Sequence, residues 1–280
     1  MRASIKSLTS ALAIALGITL APVTGDQPDS GGTVASAELQ GDAYVVALAT
    51  YNVKCGPCAP GGIRRAHQAA SKIQDTGTRV AALQEVGPRQ YKVLRNRLPK
   101  YRFWPRRRFG GKDSAIQLAY DRREYGLRKK GSFRVPVRGY WRIVPWVWLK
   151  DRDTGRKFFV MGIHNSPNGR ERERDRATAI QINQINRLWR KGNQKAPVFV
   201  MGDANERKEF CSKVKRNTKL WSANGTQGNG CPVPPGGPDW LMGNRGGIVY
   251  PYYRHIGMRS DHDMIVTRAR VRPSSHWYWS

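Results

Sequence analysis

Acidic residues are scarce. The chain of 280 residues has 20 Asp and Glu against 49 Lys and Arg, a formal net charge of +29. That deficit excludes a surface that repels polyanions. The field attracts them instead, nucleic acid foremost and anionic membrane next, with a plain solubility charge as the bland alternative. Long apolar runs are also missing. The one candidate, Leu8 to Ala21, follows Arg2 and Lys6 and is short for a bilayer span of about 20 residues, so it reads as the hydrophobic core of an export signal. No later stretch is long or apolar enough, which excludes stable insertion through a helix. Cysteine is limited to Cys55, Cys58, Cys211 and Cys231, and Cys and His form no cluster that would make a soft-ligand metal centre. No internal repeat divides the chain.

What is present suggests a leader and one domain. Ala35-Ser36-Ala37 is a small-x-small cleavage pattern, although Val23-Thr24-Gly25 lies nearer the apolar run, and Asp26 to Gly41 is rich in Gly, Ser, Thr and Ala. The expected division is a signal peptide and leader over 1–37 and a domain over 38–280, with the mature protein secreted. Export makes disulfides the natural reading of the four cysteines. Three pairings are possible. Cys55 and Cys58 share a Cys-Gly-Pro-Cys motif, which leaves Cys211 and Cys231 for each other; closing that loop contributes about 3 kcal/mol on a chain-entropy argument. A thioredoxin-like redox unit would also carry Cys-Gly-Pro-Cys, but the rest of such a unit does not follow.

Strands are expected over Ala43–Val53, Val80–Val86, Ala115–Tyr120, Val144–Leu149, Lys157–Ile163, Ala196–Met201 and Asp263–Val271, from β-rich apolar runs bounded by turn signals. Asp151-Arg152-Asp153-Thr154-Gly155 reads as a hairpin turn. Helices are expected over Gly62–Gln74, over Pro88–Leu98 with proline in the first turn, and over Arg172–Lys191, where Ile182, Ile185, Leu188 and Trp189 form one apolar face. The mixed order of hairpins and βαβ units predicts an α/β domain with mixed sheets.

Five motifs put polar groups at strand ends: Asn52 in Thr-Tyr-Asn-Val, Glu85 in Leu-Gln-Glu-Val, His164 in Gly-Ile-His-Asn-Ser-Pro, Asp203 and Asn205 in Met-Gly-Asp-Ala-Asn, and Asp261 and His262 in Arg-Ser-Asp-His-Asp. Asp239 in Pro-Asp-Trp-Leu adds a carboxylate. Phosphodiester hydrolysis needs such a set. Hard carboxylates hold a divalent cation, amides bind phosphate without adding repulsion, and imidazoles carry protons near neutral pH. His67, His255 and His276 have no motif around them and read as surface or packing residues.

Together, in this order, the motifs resemble the endonuclease/exonuclease/phosphatase superfamily, closest to its deoxyribonuclease-like members, over Ala43 to about Val271. The resemblance implies a four-layer sandwich, two packed mixed β-sheets flanked by helices. It implies Mg²⁺ or Mn²⁺, with Ca²⁺ a further candidate, held by Glu85 with Asn52 and Asp261. Asp203 resembles the carboxylate that orients or deprotonates water, Asn205 its phosphate-binding partner, and Asp239 the carboxylate that holds His262. His164 resembles the second histidine of the deoxyribonuclease branch; Asp113 is the candidate for its supporting carboxylate. The Cys211–Cys231 pair resembles that branch, and Cys-Gly-Pro-Cys does not.

Asn165 and the basic stretches at Arg64–Arg65, Arg106-Arg107-Arg108 and Arg170 onward follow these motifs and are candidate substrate contacts. The reading is a monomeric, secreted, metal-dependent endonuclease acting on DNA. The rivals are a sphingomyelinase-like lipid phosphodiesterase, for which Trp141, Trp146 and Trp148 are the only docking candidates, a phosphomonoesterase, and a basic nucleic-acid-binding protein without activity.

Overall fold

A computed structural model describes residues 43–56, 58–106, 115–224, 231–232 and 237–273. The leader over 1–37, Arg107, Arg108, Asp113 and His276 lie outside these described residues.

Two six-stranded sheets pack face to face among the described residues. In the first, the order is β11 (Ile248–Ile256), β12 (Met264–Val271), β1 (Tyr44–Asn52), β2 (Val80–Val86), β4 (Ala115–Asp121) and β3 (Tyr101–Trp104). In the second, it is β5 (Tyr125–Val137), β6 (Tyr140–Asp151), β7 (Lys157–His164), β8 (Val198–Asp203), β10 (Asp239–Asn244) and β9 (Leu220–Ser222). Each sheet has one parallel pair, β1 with β2 and β7 with β8, joined by helices α1 (Gly62–Asp75) and α3 (Glu171–Lys191). Helices α2 (Pro88–Arg97) and α4 (Lys208–Asn217) complete the outer layers. The expected four-layer sandwich is the observed architecture.

The parallel strands read as continuous apolar runs because both faces are covered. In β2, Val80 and Ala82 face the inter-sheet core, while Ala81 and Leu83 pack under α1 and α2. Helix α1 turns Ala66, Ala69, Ala70 and Ile73 onto that outer face, a helical period of small and branched side chains. Between the sheets the approach is close at Gly162 of β7, where an added Cβ would stand 2.7 Å from Ile116 of β4. Helix α3 places Glu171 and Glu173 in its first turn and Arg190 and Lys191 in its last, the charge order its dipole favours.

The strand expected over Val144–Leu149 is longer, and β3, β5, β9, β10, β11 and helix α4 were not expected. β5 is a 13-residue strand although Arg128, Lys129 and Lys130 interrupt its apolar pattern; it is stabilised by pairing along β6, which itself starts at Tyr140. Asp239 is the first residue of β10. No helix among the described residues is long and apolar enough to cross a membrane.

Candidate active site

β1, β2, β7 and β8 all end at one edge of the sandwich, and their registers bring Asn52, Glu85, His164 and Asp203 together. Asn52 pairs with Gln84 across the first parallel pair, and His164 with Asp203 across the second. Two of these residues sit in backbone that ordinary strands avoid. Glu85 has φ 57° beside a register shift between β2 and β4, and Asn205 has φ 50°. Left-handed backbone at non-glycine residues is costly and collects where side-chain aim matters. Gly202, just before Asp203, has φ 147°, and a Cβ there would stand 2.1 Å from the Ile163 carbonyl oxygen, so the Gly-Asp pair of the motif is a steric requirement.

Hydrogen bonds fix the cluster. The Asn52 amide donates to Glu85 Oε1 at 3.2 Å and to Asp203 Oδ2 at 3.0 Å. The Asn205 backbone N–H donates to Asp203 Oδ1 at 2.8 Å. His262 Nδ1 lies 2.6 Å from Asp239 Oδ2, and its Nε2 lies 3.8 Å from Asp203 Oδ2. His164 Nε2 approaches Asp203 Oδ2 at 3.5 Å and Glu85 Oε1 at 3.8 Å. The Cys55 backbone N–H donates to Glu85 Oε2 at 3.0 Å.

Charge and burial separate the proton affinities of these groups. Burial, and then the neighbouring Asp239 charge, push the Asp203 carboxyl up to about 7, against the pull of His262. Burial would depress His262, but its hydrogen bond to Asp239 and the charges of Asp239, Asp203 and Asp261 outweigh that and lift it to about 9. His164 goes the other way: burial, then the Arg142 and His262 charges, hold it well below the usual imidazole range. Near neutral pH, His262 is a cation and His164 a neutral ring.

The donor set fits a hard divalent cation. Glu85, Asp203 and Asp239 concentrate negative charge, and Asp239 Oδ1 is buried without a hydrogen-bond partner among the described residues. Glu85 is the most accessible of the three carboxylates. Two expected helpers are engaged elsewhere. Asn52 turns its NH₂ toward the carboxylates and its Oδ1 accepts from the Lys54 N–H at 3.0 Å. Asp261 bonds Lys54 Nζ at 2.8 Å, and its exposed carboxylate is held below the usual range chiefly by that lysine, against a burial effect of opposite sign. An oxygen each of Asp203 and Asp239 and a ring nitrogen of His262 also lie within 4.8 Å of one another. The short Asp239–His262 bond marks that group as a hydrogen-bonded dyad beside a carboxylate.

Other expected contacts find different places. Asn165 is fully buried, and its amide oxygen accepts from Gln181 Nε2 at 2.6 Å; it touches the site through its carbonyl, which accepts from the Asn205 side chain at 3.1 Å. This corrects its assignment as a substrate contact. Arg64 and Arg106 are exposed, and Arg170 pairs with Glu173 at 3.0 Å; all three follow elements that end at the site edge. Arg65 is buried: it donates to the carbonyls of Val53 at 2.9 Å, Lys54 at 2.9 Å, Ala59 at 3.1 Å and Pro60 at 2.6 Å, clamping the loop that carries the Cys55 N–H to Glu85. Both disulfides form as expected, Cys55–Cys58 within that loop and Cys211–Cys231 from α4. Sequence reasoning missed Arg142, which is buried on β6 and donates to the His164 carbonyl at 2.9 Å; its charged position inside an otherwise apolar strand was the available signal.

By sequence, the chain matches no protein-family model and no curated protein. By structure, it is similar to an endonuclease/exonuclease/phosphatase family protein from Bacteroides thetaiotaomicron, at 19% identity over 82% of this chain and 98% of the other, with TM-score 0.65. It is similar to a mannosyl-6-phosphatase from the same organism, at 18% identity over 80% of this chain and 99% of the other, with TM-score 0.64. D. rerio TDP2 complexed with a single-strand DNA product is similar at 18% identity over 80% of this chain and 98% of the other, with TM-score 0.61. At these identities the likeness establishes the fold, and the fold is that of endonuclease/exonuclease/phosphatase proteins.

Proposed function

Starting from that fold, we propose that the chain is a secreted, monomeric, divalent-metal-dependent phosphodiester hydrolase that acts on nucleic acid, with DNA as its principal substrate. The observation that carries the reading is the convergence on Asp203: a buried carboxyl with a pKa near 7, oriented by Asn52 and the Asn205 N–H, facing a cationic His262. Asp203 is poised to take a proton from an attacking water, since a base works best with a pKa near the working pH. Asp239 holds the His262 ring, which directs positive charge to the phosphoryl oxygens. His164, neutral and buried, positions Asp203 and Glu85 and is no ready proton donor. Of the two role assignments the family resemblance leaves open, this favours Asp203 as base with His262 as electrostatic partner. A bound Mg²⁺ or Mn²⁺, held by Glu85 with Asn52 and Asp261 once these two exchange their contacts with Lys54 for the ion, would supply Lewis-acid stabilisation of the phosphoryl group and leaving oxygen.

The substrate assignment is supported by the charge of +29 and by exposed Arg64 and Arg106 at the site edge. The lipid reading is the weaker one. Of its three tryptophans, Trp141 is the exposed one, and the Arg176 guanidinium covers its ring at 5.4 Å; Trp148 is stacked on Phe159. The leader and both disulfides support export and a mature domain over 38–280. The test is a substrate panel of plasmid DNA, RNA, sphingomyelin and a phosphomonoester, each with Mg²⁺ and with chelator. DNA cleavage only with metal is expected; turnover of sphingomyelin or the monoester in place of nucleic acid would replace this reading.

A further inference from the structure

The hydrolytic cluster makes no use of the Cys-Gly-Pro-Cys motif, yet the motif lies against it. The Cys55 and Cys58 sulfurs and a Glu85 carboxylate oxygen all lie within 4.8 Å of one another. Bridged sulfurs are poor ligands. As thiolates, two sulfurs and a carboxylate are a ligand set for Zn²⁺, and a pair of cysteines separated by two residues is a common spacing in zinc sites. The third ligand, Glu85, comes from β2, 30 residues further on, which the spacing of the cysteines does not reveal. Cys55 is buried and Cys58 is exposed, so a thiol in solution reaches the Cys58 sulfur.

The frame around these three groups does not depend on the bridge. The Lys54 carbonyl accepts from Arg65 Nη2 at 2.9 Å, Arg65 Nε at 3.3 Å and Gln90 Nε2 at 3.1 Å. The N–H of the same peptide, that of Cys55, donates to Glu85 Oε2 at 3.0 Å. Gln90 Oε1 accepts from the Gly56 N–H at 3.2 Å, and the Cys55 carbonyl closes the turn by accepting from the Cys58 N–H at 3.1 Å. These bonds hold both cysteines beside Glu85 when the sulfurs part. Arg65 is a second, independent pointer. It is buried, and among the described residues its guanidinium meets carbonyls and no carboxylate. A buried cation without a counter-charge is costly. Zn²⁺ with two thiolates and one carboxylate sets +2 against −3, so the complex is an anion beside that guanidinium.

We propose that reduction of the Cys55–Cys58 bridge opens a Zn²⁺ site made of Cys55, Cys58 and Glu85, which withdraws Glu85 from the hydrolytic ion. The reductant is a thiol. Its thiolate attacks the Cys58 sulfur to form a mixed disulfide, and Cys55 leaves as a thiolate. A second thiol attacks the mixed disulfide and releases Cys58, so two external thiols are oxidised to one disulfide while the bridge takes up two electrons and two protons. Zn²⁺ then displaces those two thiol protons to solvent. Thiolates select Zn²⁺ over Mg²⁺, so the state of the bridge decides which ion Glu85 serves. The consequence for hydrolysis rests on the proposed function: the bridged chain is the active form, and a reducing compartment that holds zinc silences it. The site itself stands on Cys55, Cys58 and Glu85 alone.

The test reads the ultraviolet thiolate-to-metal charge-transfer band as Cd²⁺ is added to the full chain, with and without a phosphine reductant, which opens disulfides without adding thiol ligands. The reduced parent should give a saturable band that competing Zn²⁺ removes, and the bridged parent should give none. C55S/C58S should show no band in reductant, although Cys211 and Cys231 are still present to be reduced. Glu85→Gln should bind Cd²⁺ at least about 10-fold more weakly, the least that even an outer partner of a metal site is worth. DNA cleavage in Mg²⁺ on the same samples should be inhibited by Zn²⁺ in the reduced parent and spared in the bridged one. A band in a chain that cleaves no DNA upholds the zinc site and removes the proposed function. No band in the reduced parent, a band that survives in C55S/C58S, or equal affinity in Glu85→Gln overturns the proposal.

Discussion

Asp203 and Asp121 are both sealed from water, at opposite edges of the sandwich, and their proton affinities move in opposite directions. Asp203 ends β8 among acids; burial and the Asp239 charge lift it to about 7. Asp121 ends β4 among arginines. Burial pushes it up too, but hydrogen bonds from Arg123 and the charges of Arg123 and Arg79 outweigh this and hold it below the usual carboxylate range. Burial alone therefore does not determine what a buried carboxylate does. The company at the site edge produces a group able to exchange a proton, and the company at the far edge produces a permanent anion that organises cations. The same polarity runs through whole strands: β1 leads from Tyr44, at a rim lined by Arg156, Lys157 and Arg272, to the Asn52 amide between two carboxylates.

Exchanging carboxyl for amide at each position tests this contrast most strongly. Asp203→Asn should lower kcat by about 10²–10⁴-fold, the usual worth of a general base, while Asp121→Asn should leave kcat close to the parent's. In chelator the stabilities should diverge as well. A folded pKa raised above the unfolded value of about 3.9 gives stability that is full below that value and lost as pH rises through about 7. The metal-free parent should lose stability across that window, and Asp203→Asn should not share the loss; denaturant midpoints against pH measure it.

Asp239→Asn comes next. Without its carboxylate the His262 cation loses its main support, so kcat should fall by about 10²-fold or more with little change in KM. Asp121→Asn has a smaller effect, of the other kind. Its depressed pKa gives stability present above about pH 4 and lost as pH falls through the folded value, so the variant should be about 2 kcal/mol less stable at pH 7 and nearer the parent in acid. Urea unfolding at both pH values checks it. The smallest effect belongs to Lys54. Its bond to Asp261 is exposed and worth about 0.5 kcal/mol, so Lys54→Met should lower the half-saturating Mg²⁺ concentration only about two-fold.

The two edges were not equally legible in the sequence. At the site edge, each functional group sits in a short local motif at the end of an apolar strand, so Asn52, Glu85, His164, Asp203 and the Asp261-His262 pair stood out and the structure brings most of them within one cluster. Asp261 stands at its rim, bound to Lys54. The far edge has no motif. Tyr44, Trp148, Lys157, Lys191 and Arg272 come from five separate stretches and meet only through sheet register and the end of α3. β5 was hidden because Arg128 to Lys130 are all exposed and break the alternation of its pattern, and pairing with β6 determines its conformation more than its own pattern does. Arg65 and Asn165 were assigned to substrate by position, yet they satisfy buried carbonyls and a helix-borne amide; burial, which decides that question, is not a local property of sequence.

The central claim is that hydrolysis belongs to the acidic edge and depends on a divalent cation there. The most direct measurement is the cleavage rate of a short DNA duplex in Mg²⁺ by the parent, by Glu85→Gln and by the far-edge lysine variant K157A/K191A/K195A, with a parent sample in excess chelator. The expected result is a loss of about 10²-fold or more in Glu85→Gln, no cleavage in chelator, and a parental rate in the lysine variant. Parental cleavage by Glu85→Gln, or undiminished cleavage in excess chelator, would contradict it.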